Sequence, residues 1–248
     1  MSIPAFPYTY GALGKVAIVG SAPAISDFHK WLHPEIAIAS APMPLGRLDA
    51  AGLTAMGQRL AQVFEFIHTY DHSDLAFFSC TSGSLIGGEG YDEMLCQLCA
   101  KAAHTQTAYT TSTAVQQAFD ALHVRQMSII TPYPDDVNMA ERDFFSHKGY
   151  TVHNISGIPT PGPNDRKLIY KIPPEVIYDF AVAHTHPQAG VCFLSCTGMR
   201  VLDIIKPLEE RLSIPVVTSN QTALWLMGKY FGHHSAAALA SLGQLFRL

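Results

Sequence analysis

Two short apolar runs in opposite halves of the chain stop at the same three residues. Residues 75–84 read LAFFSCTSGS and residues 191–200 read VCFLSCTGMR. An unbroken apolar run of this length is the pattern of a strand buried on both faces, as in the middle of a parallel sheet. Each run ends at Ser-Cys-Thr, with a glycine within three residues of the cysteine. Cys80 and Cys196 are separated by nearly half of the 248-residue chain. A repeat on that scale predicts two similar halves, each ending a strand in a thiol, with both thiols facing one pocket between the halves.

The surrounding sequence carries the repeat further. Strands are expected at 15–20, 36–40, 75–79 and 107–112 in the first half, and at 127–131, 150–156, 190–195 and 214–219 in the second. Helical spacing of apolar residues fills the intervals, notably over 53–70, 90–102, 113–124, 138–149, 173–184 and 221–232. Strands alternating with helices predict an α/β fold with parallel sheets. Thr111-Ser112-Thr113 and Thr218-Ser219-Asn220 each close a strand and open a helix, so a duplicated lobe is expected rather than one long sheet. The first lobe takes residues 1–112 and 221–248, and the second takes 113–220. Ligands of such sheets bind beyond the carboxyl ends of the strands, where helix N-termini point their amides. Ser21, Cys80, Tyr133 and Cys196 all fall at such ends.

Composition narrows the function classes. The net charge is −4, and the 16 Lys and Arg form no basic run, which argues against a nucleic-acid partner. Apolar residues reach 48%, yet no apolar stretch approaches the about 20 residues of a membrane span. The N-terminus lacks the basic start and long apolar core of a signal peptide, so no membrane partner and a cytoplasmic location are expected. Five cysteines cannot all pair within the chain and are read as thiols.

A thiol at a strand-to-helix junction lies near free backbone amides and the positive end of the helix dipole, both of which raise its thiolate fraction. The hydroxyls of Thr81, Ser82, Ser84 and Thr197 stand ready to donate to an anionic oxygen, and Gly83 and Gly198 permit close backbone approach. This reads as a cradle for a carboxylate or enediolate beside a thiol. The competing account is that a cysteine is a small apolar core residue. Two matching phrases at matching strand ends favour function for Cys80 and Cys196, while Cys96, Cys99 and Cys192 are assigned to the core. No metal site is expected: Cys96 and Cys99 lack a second pair, and the paired histidines at 184–186 and 233–234 read as helix ends. The glycine-rich stretch 82–90 lacks the Lys-Ser/Thr of a phosphate loop, and Ser82 is not in a Gly-x-Ser-x-Gly elbow. Asp135 and Asp136 read as a helix start rather than as catalytic carboxylates.

With these residues assembled, the chain resembles the aspartate/glutamate/hydantoin racemase superfamily, and within it the branch of maleate cis–trans isomerase and arylmalonate decarboxylase. The resemblance rests on SCTSGS around Cys80, STAV at 112–115, TPYPDDVN at 131–138, LSCTGMRVLDIIKPLEERLSIPVVTSN at 194–220, and Trp225. It implies two Rossmann-like lobes with four-stranded parallel sheets, related by a pseudo-twofold, with the site in the cleft and no cofactor. It implies Cys80 and Cys196 as the catalytic pair. Ser21, Thr81, Ser82, Tyr133, Thr197 and the Gly198 amide then bind the substrate. The partner is a small carboxylate, and a homo-oligomer is expected.

The decarboxylase branch resembled here has only the second-half cysteine, so a thiol at both positions favours a cis–trans isomerase or racemase. Decarboxylation of a substituted malonate is the alternative, and a catalytically silent carboxylate-binding protein is a third. Two departures set the chain apart from maleate isomerases. An early Pro-Ser-Ser-Asn phrase is replaced by Gly20-Ser21-Ala22-Pro23, and Gly198 stands where those enzymes usually carry Asn. Asn164 or Arg166 would be the candidates to replace the missing amides. Because the residues after the two cysteines differ, Cys80 is expected as nucleophile and Cys196 as the group for proton transfer.

Overall fold

The structure is a computed structural model that describes residues 10–160, 165–233 and 237–248. Strand β1 (Gly14–Gly20) is followed by α1 (Ala22–Trp31), β2 (Ile36–Pro42), α2 (Ala50–Gly57), α3 (Leu60–Tyr70), β3 (Leu75–Ser79), α4 (Thr81–Leu85), α5 (Tyr91–Ala102) and β4 (Thr107–Thr110). The second half continues with α6 (Thr111–Ala121), β5 (Gln126–Thr131), α7 (Asp135–His147), β6 (Thr151–Gly157), α8 (Arg166–Ile169), α9 (Pro174–His184), β7 (Val191–Leu194), α10 (Ile205–Leu212), β8 (Val216–Thr218) and α11 (Ser219–Tyr230).

The strands form two parallel four-stranded sheets, ordered β2-β1-β3-β4 and β6-β5-β7-β8. The second order is the first with every strand number advanced by four, so the topology repeats as the sequence does. The inner strands are the most apolar runs. Every residue of β3 and β7 is buried, as is most of β1 and β5, because helices cover both faces.

Helix α6 packs Val115 and Phe119 among Met127, Ile129, Phe145 and Phe193 of the second sheet's core. Helix α11 lies against α6 and also touches α1. The two helices that follow the last strand of each sheet thus join the halves.

The helical pattern over 53–70 divides into α2 and α3. Gly57 ends α2 where its backbone passes so close to Tyr91 that an added Cβ would lie 2.3 Å from the phenol oxygen. Tertiary packing here overrides a periodicity that by itself spans the break. The stretch after Cys80, read as a glycine-rich loop, opens with the short helix α4.

Candidate functional site

The carboxyl ends of β1, β3, β5 and β7 supply the polar residues of one cavity. Ser21 caps α1, its Oγ accepting from the Ala24 amide at 3.4 Å. It also donates to the Thr197 carbonyl at 3.0 Å, bracing the turn after Cys196 from the other half of the chain. Cys80 is the N-cap of α4, its Sγ accepting from the Gly83 amide at 3.4 Å with Ser82 Oγ 3.9 Å away. Gly83 cannot be larger, since a Cβ there would meet Met56 Cε at 2.3 Å and Cys80 Sγ at 3.0 Å.

Cys196 accepts from the Gly198 amide at 3.3 Å. Tyr133 is held from behind by a bracket: the Thr131 hydroxyl donates to Asn138 Oδ1 at 2.6 Å, and Asn138 Nδ2 donates to the Tyr133 carbonyl at 3.1 Å. Asn220, at the start of α11, donates to the Thr197 carbonyl at 3.3 Å and to Asp27 Oδ2 at 2.8 Å, adding a second tie across the halves.

The empty space between these residues, part of it open to solvent, is about 330 Å³. Ser21, Cys80, Ser82, Tyr133, Cys196, Thr197 and Gly198 line it. These are residues expected from sequence, but the hydroxyls of Thr81 and Ser84 are not among them: Ser84 Oγ donates to the Thr81 carbonyl at 3.0 Å and pairs with Ser112 Oγ at 2.7 Å. Thr81 is buried, but its Oγ1 is paired with Ser219 Oγ at 2.7 Å, and it is not part of the lining. The remaining wall is apolar and was missed: Met43, Leu45, Leu48, Ile169 and Tyr170. The first three come from the Pro- and Gly-rich loop after β2. The signal was the apolar content of APMPLGRL, since loop residues without a core to face are rarely so apolar. Asn164 lies outside the described residues, and Arg166 opens α8.

The lining contains no Lys, Arg, His, Asp or Glu. An anion held here would rely on hydroxyls and backbone amides. Gly198 is what admits the apolar wall: a Cβ at this position would lie 2.7 Å from Tyr170 Cε1 and 3.4 Å from Ile169 Cγ2. The Tyr170 ring occupies the space into which a side chain at 198 would project.

Burial pushes the Cys196 thiol up to about 12; the Gly198 amide and Tyr133 hydroxyl offset this only in part, and Cys80 and Glu141 add to it. The expected thiolate-favouring helix dipole is missing at this cysteine. A turn follows Cys196, and helical structure resumes only at Leu202, whereas Cys80 directly caps a helix. Cys196 is therefore a neutral thiol, suited to giving a proton. Burial likewise holds Tyr133 well above the ordinary phenol range, leaving it a neutral hydrogen-bond donor. Cys96, Cys99 and Cys192 lie away from the cavity, and burial raises all three thiols. Among the described residues no group of three or more His, Cys, Asp or Glu is placed to hold a metal ion, and no helix is long and apolar enough to cross a membrane.

A model of the arylmalonate decarboxylase family matches residues 18–246. Arylmalonate decarboxylase of Bordetella bronchiseptica is 26% identical over 219 residues, covering 87% of this chain and 88% of that protein. Among solved structures, the maleate isomerase Iso from Pseudomonas putida S16 superposes with a TM-score of 0.84 at 16% identity, over 94% of this chain and 97% of that one. A doubly substituted mutant of arylmalonate decarboxylase in its liganded form gives 0.83 at 23% identity, over 94% and 98%. These two structures show a shared fold: two parallel four-stranded sheets with flanking helices.

Proposed function

The chain belongs to the arylmalonate decarboxylase family, and on that premise we propose that it is a cofactor-independent isomerase of the racemase kind, moving a proton at the carbon next to a carboxylate. The observation that carries this is the placement of two thiols, Cys80 from one half and Cys196 from the other, on one small cavity. Its lining combines the polar residues with the apolar wall of Met43, Leu45, Leu48, Ile169 and Tyr170.

The carboxylate sits among the polar lining residues, taking hydrogen bonds from Ser82, Tyr133 and the amides of the turn at Thr197 and Gly198. Ser21 holds that turn in place. As charge moves onto the carboxylate in the enediolate, these donors bind it more strongly than the ground state. Cys80, at the N-terminus of α4, takes the α-proton as thiolate. Cys196 gives its S–H proton to the same carbon from the other half of the cleft. The product is the opposite enantiomer, and the next turnover runs in reverse with the roles exchanged.

The apolar wall of Met43, Leu45, Leu48, Ile169 and Tyr170 favours a substrate whose other arm is an alkyl or aryl group. Maleate, with a second carboxylate, would meet that wall rather than an amide. Addition of the Cys80 thiolate to an alkene, rotation and elimination is accordingly the less favoured route to isomerisation.

The decarboxylase reading has its own support, in the family match and the Bordetella bronchiseptica relative. Here a substituted malonate places its second carboxylate against the apolar wall, where desolvation raises its energy. The C–C bond breaks, carbon dioxide leaves, and the electron pair stays on the α-carbon as the enediolate. The Cys196 proton then forms the new C–H bond.

One set of reactions in deuterated water separates the readings: a single enantiomer of an α-aryl or α-alkyl carboxylate, a substituted malonate, and maleate. Racemisation with deuterium at the α-carbon supports the first reading. Carbon dioxide release from the malonate alone supports the second. Fumarate without carbon-bound deuterium supports thiol addition. A panel with neither turnover nor exchange overturns the enzyme and leaves a carboxylate-binding protein.

A further inference from the structure

Among the described buried titratable groups that this mechanism leaves unused, one carboxyl lacks any partner for either oxygen. Glu141 is fully buried in the middle of α7, and neither carboxyl oxygen meets a hydrogen-bond partner among the described residues. It belongs to the inward stripe of that helix, with Val137, Asn138, Phe144 and Phe145. Asn138, the other polar member, has both its amide oxygen and its amide nitrogen paired, on Thr131 and Tyr133. Buried polar groups are normally paired, and each exception calls for a reason. A leucine in place of Glu141 would continue the stripe without that cost.

The surroundings of Glu141 point toward the cavity. The polar side chain that bears on it is Ser195, itself buried and outside hydrogen-bond geometry, and Ser195 immediately precedes Cys196. A charge on Glu141 acts on both Tyr133 and Cys196. The other titratable side chains of α7, Asp135, Asp136, Arg142, Asp143 and His147, are exposed. Of the elements packed against α7, α4 carries no titratable side chain beyond its cap Cys80, and β6 carries His153, which is hydrogen-bonded to Gln126. Among the described residues no cation is therefore placed to neutralise a carboxylate at 141.

We propose that Glu141 is a positioning residue for Cys196: as a neutral acid it leaves the thiol free to pass through its thiolate state, and once ionised its buried charge opposes that thiolate and the substrate's own negative charge. The proposal rests on the reading of Cys196 as a reacting thiol. Burial raises the Glu141 carboxyl to about 8, so the neutral form dominates near pH 7 and the charge appears just above it.

The test reads the thiol directly. The alkylation rate of Cys196 by iodoacetamide is followed from pH 6 to 11 by mass spectrometry of its own peptide, in the unmodified protein, Glu141→Gln and Glu141→Leu. The expected result is that the curves converge below pH 7 and that, above pH 9, the unmodified protein lags both variants by about tenfold, the consequence of one pKa unit of coupling. A turnover profile of Glu141→Gln should lose the alkaline fall of the unmodified enzyme. Superposed alkylation curves in folded variants would overturn the proposal. So would failure of both variants to fold, since the carboxyl would then be a structural group. A lag in alkylation with no turnover on any carboxylate would leave this coupling standing and overturn the proposed reaction instead.

Discussion

At the scale of single residues, the two thiols differ in what surrounds them, and their variants should differ accordingly. Cys196 is the neutral donor in both the racemisation and the decarboxylation scheme, so Cys196→Ala should lower turnover by about 10²–10⁴-fold on any substrate, the usual worth of a general acid. Cys80→Ala should abolish racemisation of a single enantiomer yet leave carbon dioxide release from a substituted malonate largely intact. Chiral chromatography of product and carbon dioxide measurement on the same two variants check both statements. Gly198→Ala tests the wall: its methyl would press on the Tyr170 ring at 2.7 Å, and overpacking of that kind costs about 1–3 kcal/mol. A rise in KM larger than the change in kcat is expected, and steady-state kinetics decide it. The positions of Cys80, Cys196, Tyr133 and Ser21 were legible because each is punctuation at the end of an apolar run. The character of Cys196 was not, because it depends on a turn rather than a helix following it.

At the scale of elements, the site depends on how strand ends are bracketed. Thr131, Tyr133 and Asn138 close the β5–α7 junction, with Asn138 serving a hydroxyl and a carbonyl at once. Asn138→Ala removes the donor to the Tyr133 carbonyl and the acceptor of the Thr131 hydroxyl, whose oxygen keeps only the Tyr133 amide, and should cost about 1–3 kcal/mol in chemical denaturation. Substrate affinity should fall with it, because Tyr133 loses its backing. TPYPDDVN has the pattern of a helix start led by its aspartates, and Asp135 and Asp136 do open α7. Nothing in that pattern marks the asparagine three residues in, which folds back onto the loop. The apolar wall was hidden for a similar reason. Met43, Leu45 and Leu48 lie in a loop with neither strand nor helix period, so no spacing marks them as one face.

At the scale of the whole molecule, duplication was the most legible property, because each half must bury its own parallel sheet and so repeats the same apolar runs. The halves then diverge where they meet, at Cys80 and Cys196, and a fully buried carboxyl sits behind one of the thiols. That carboxyl makes the stability of the whole fold depend on pH. Its folded pKa is raised from 4.5 to about 8, so folding favours the protonated form. Its contribution is complete below about pH 4.5 and is lost as pH climbs to about 8, where the folded state too must ionise. At about 1.4 kcal/mol per pKa unit, the loss is about 5 kcal/mol as an upper bound. Asp92, raised to about 6 mainly by its burial, adds a smaller effect of the same sign. Cys196 and Tyr133 titrate above this window and do not shape it. Denaturant unfolding at pH 5 and pH 8.5 should therefore show the unmodified protein losing several kcal/mol, and Glu141→Gln losing clearly less, with Asp92 common to both. Equal losses would mean that Glu141 ionises without penalty and is solvated in the native state. A larger loss in the unmodified protein would mean that the fold bears a cost an uncharged residue would spare it, at the position that governs the thiol.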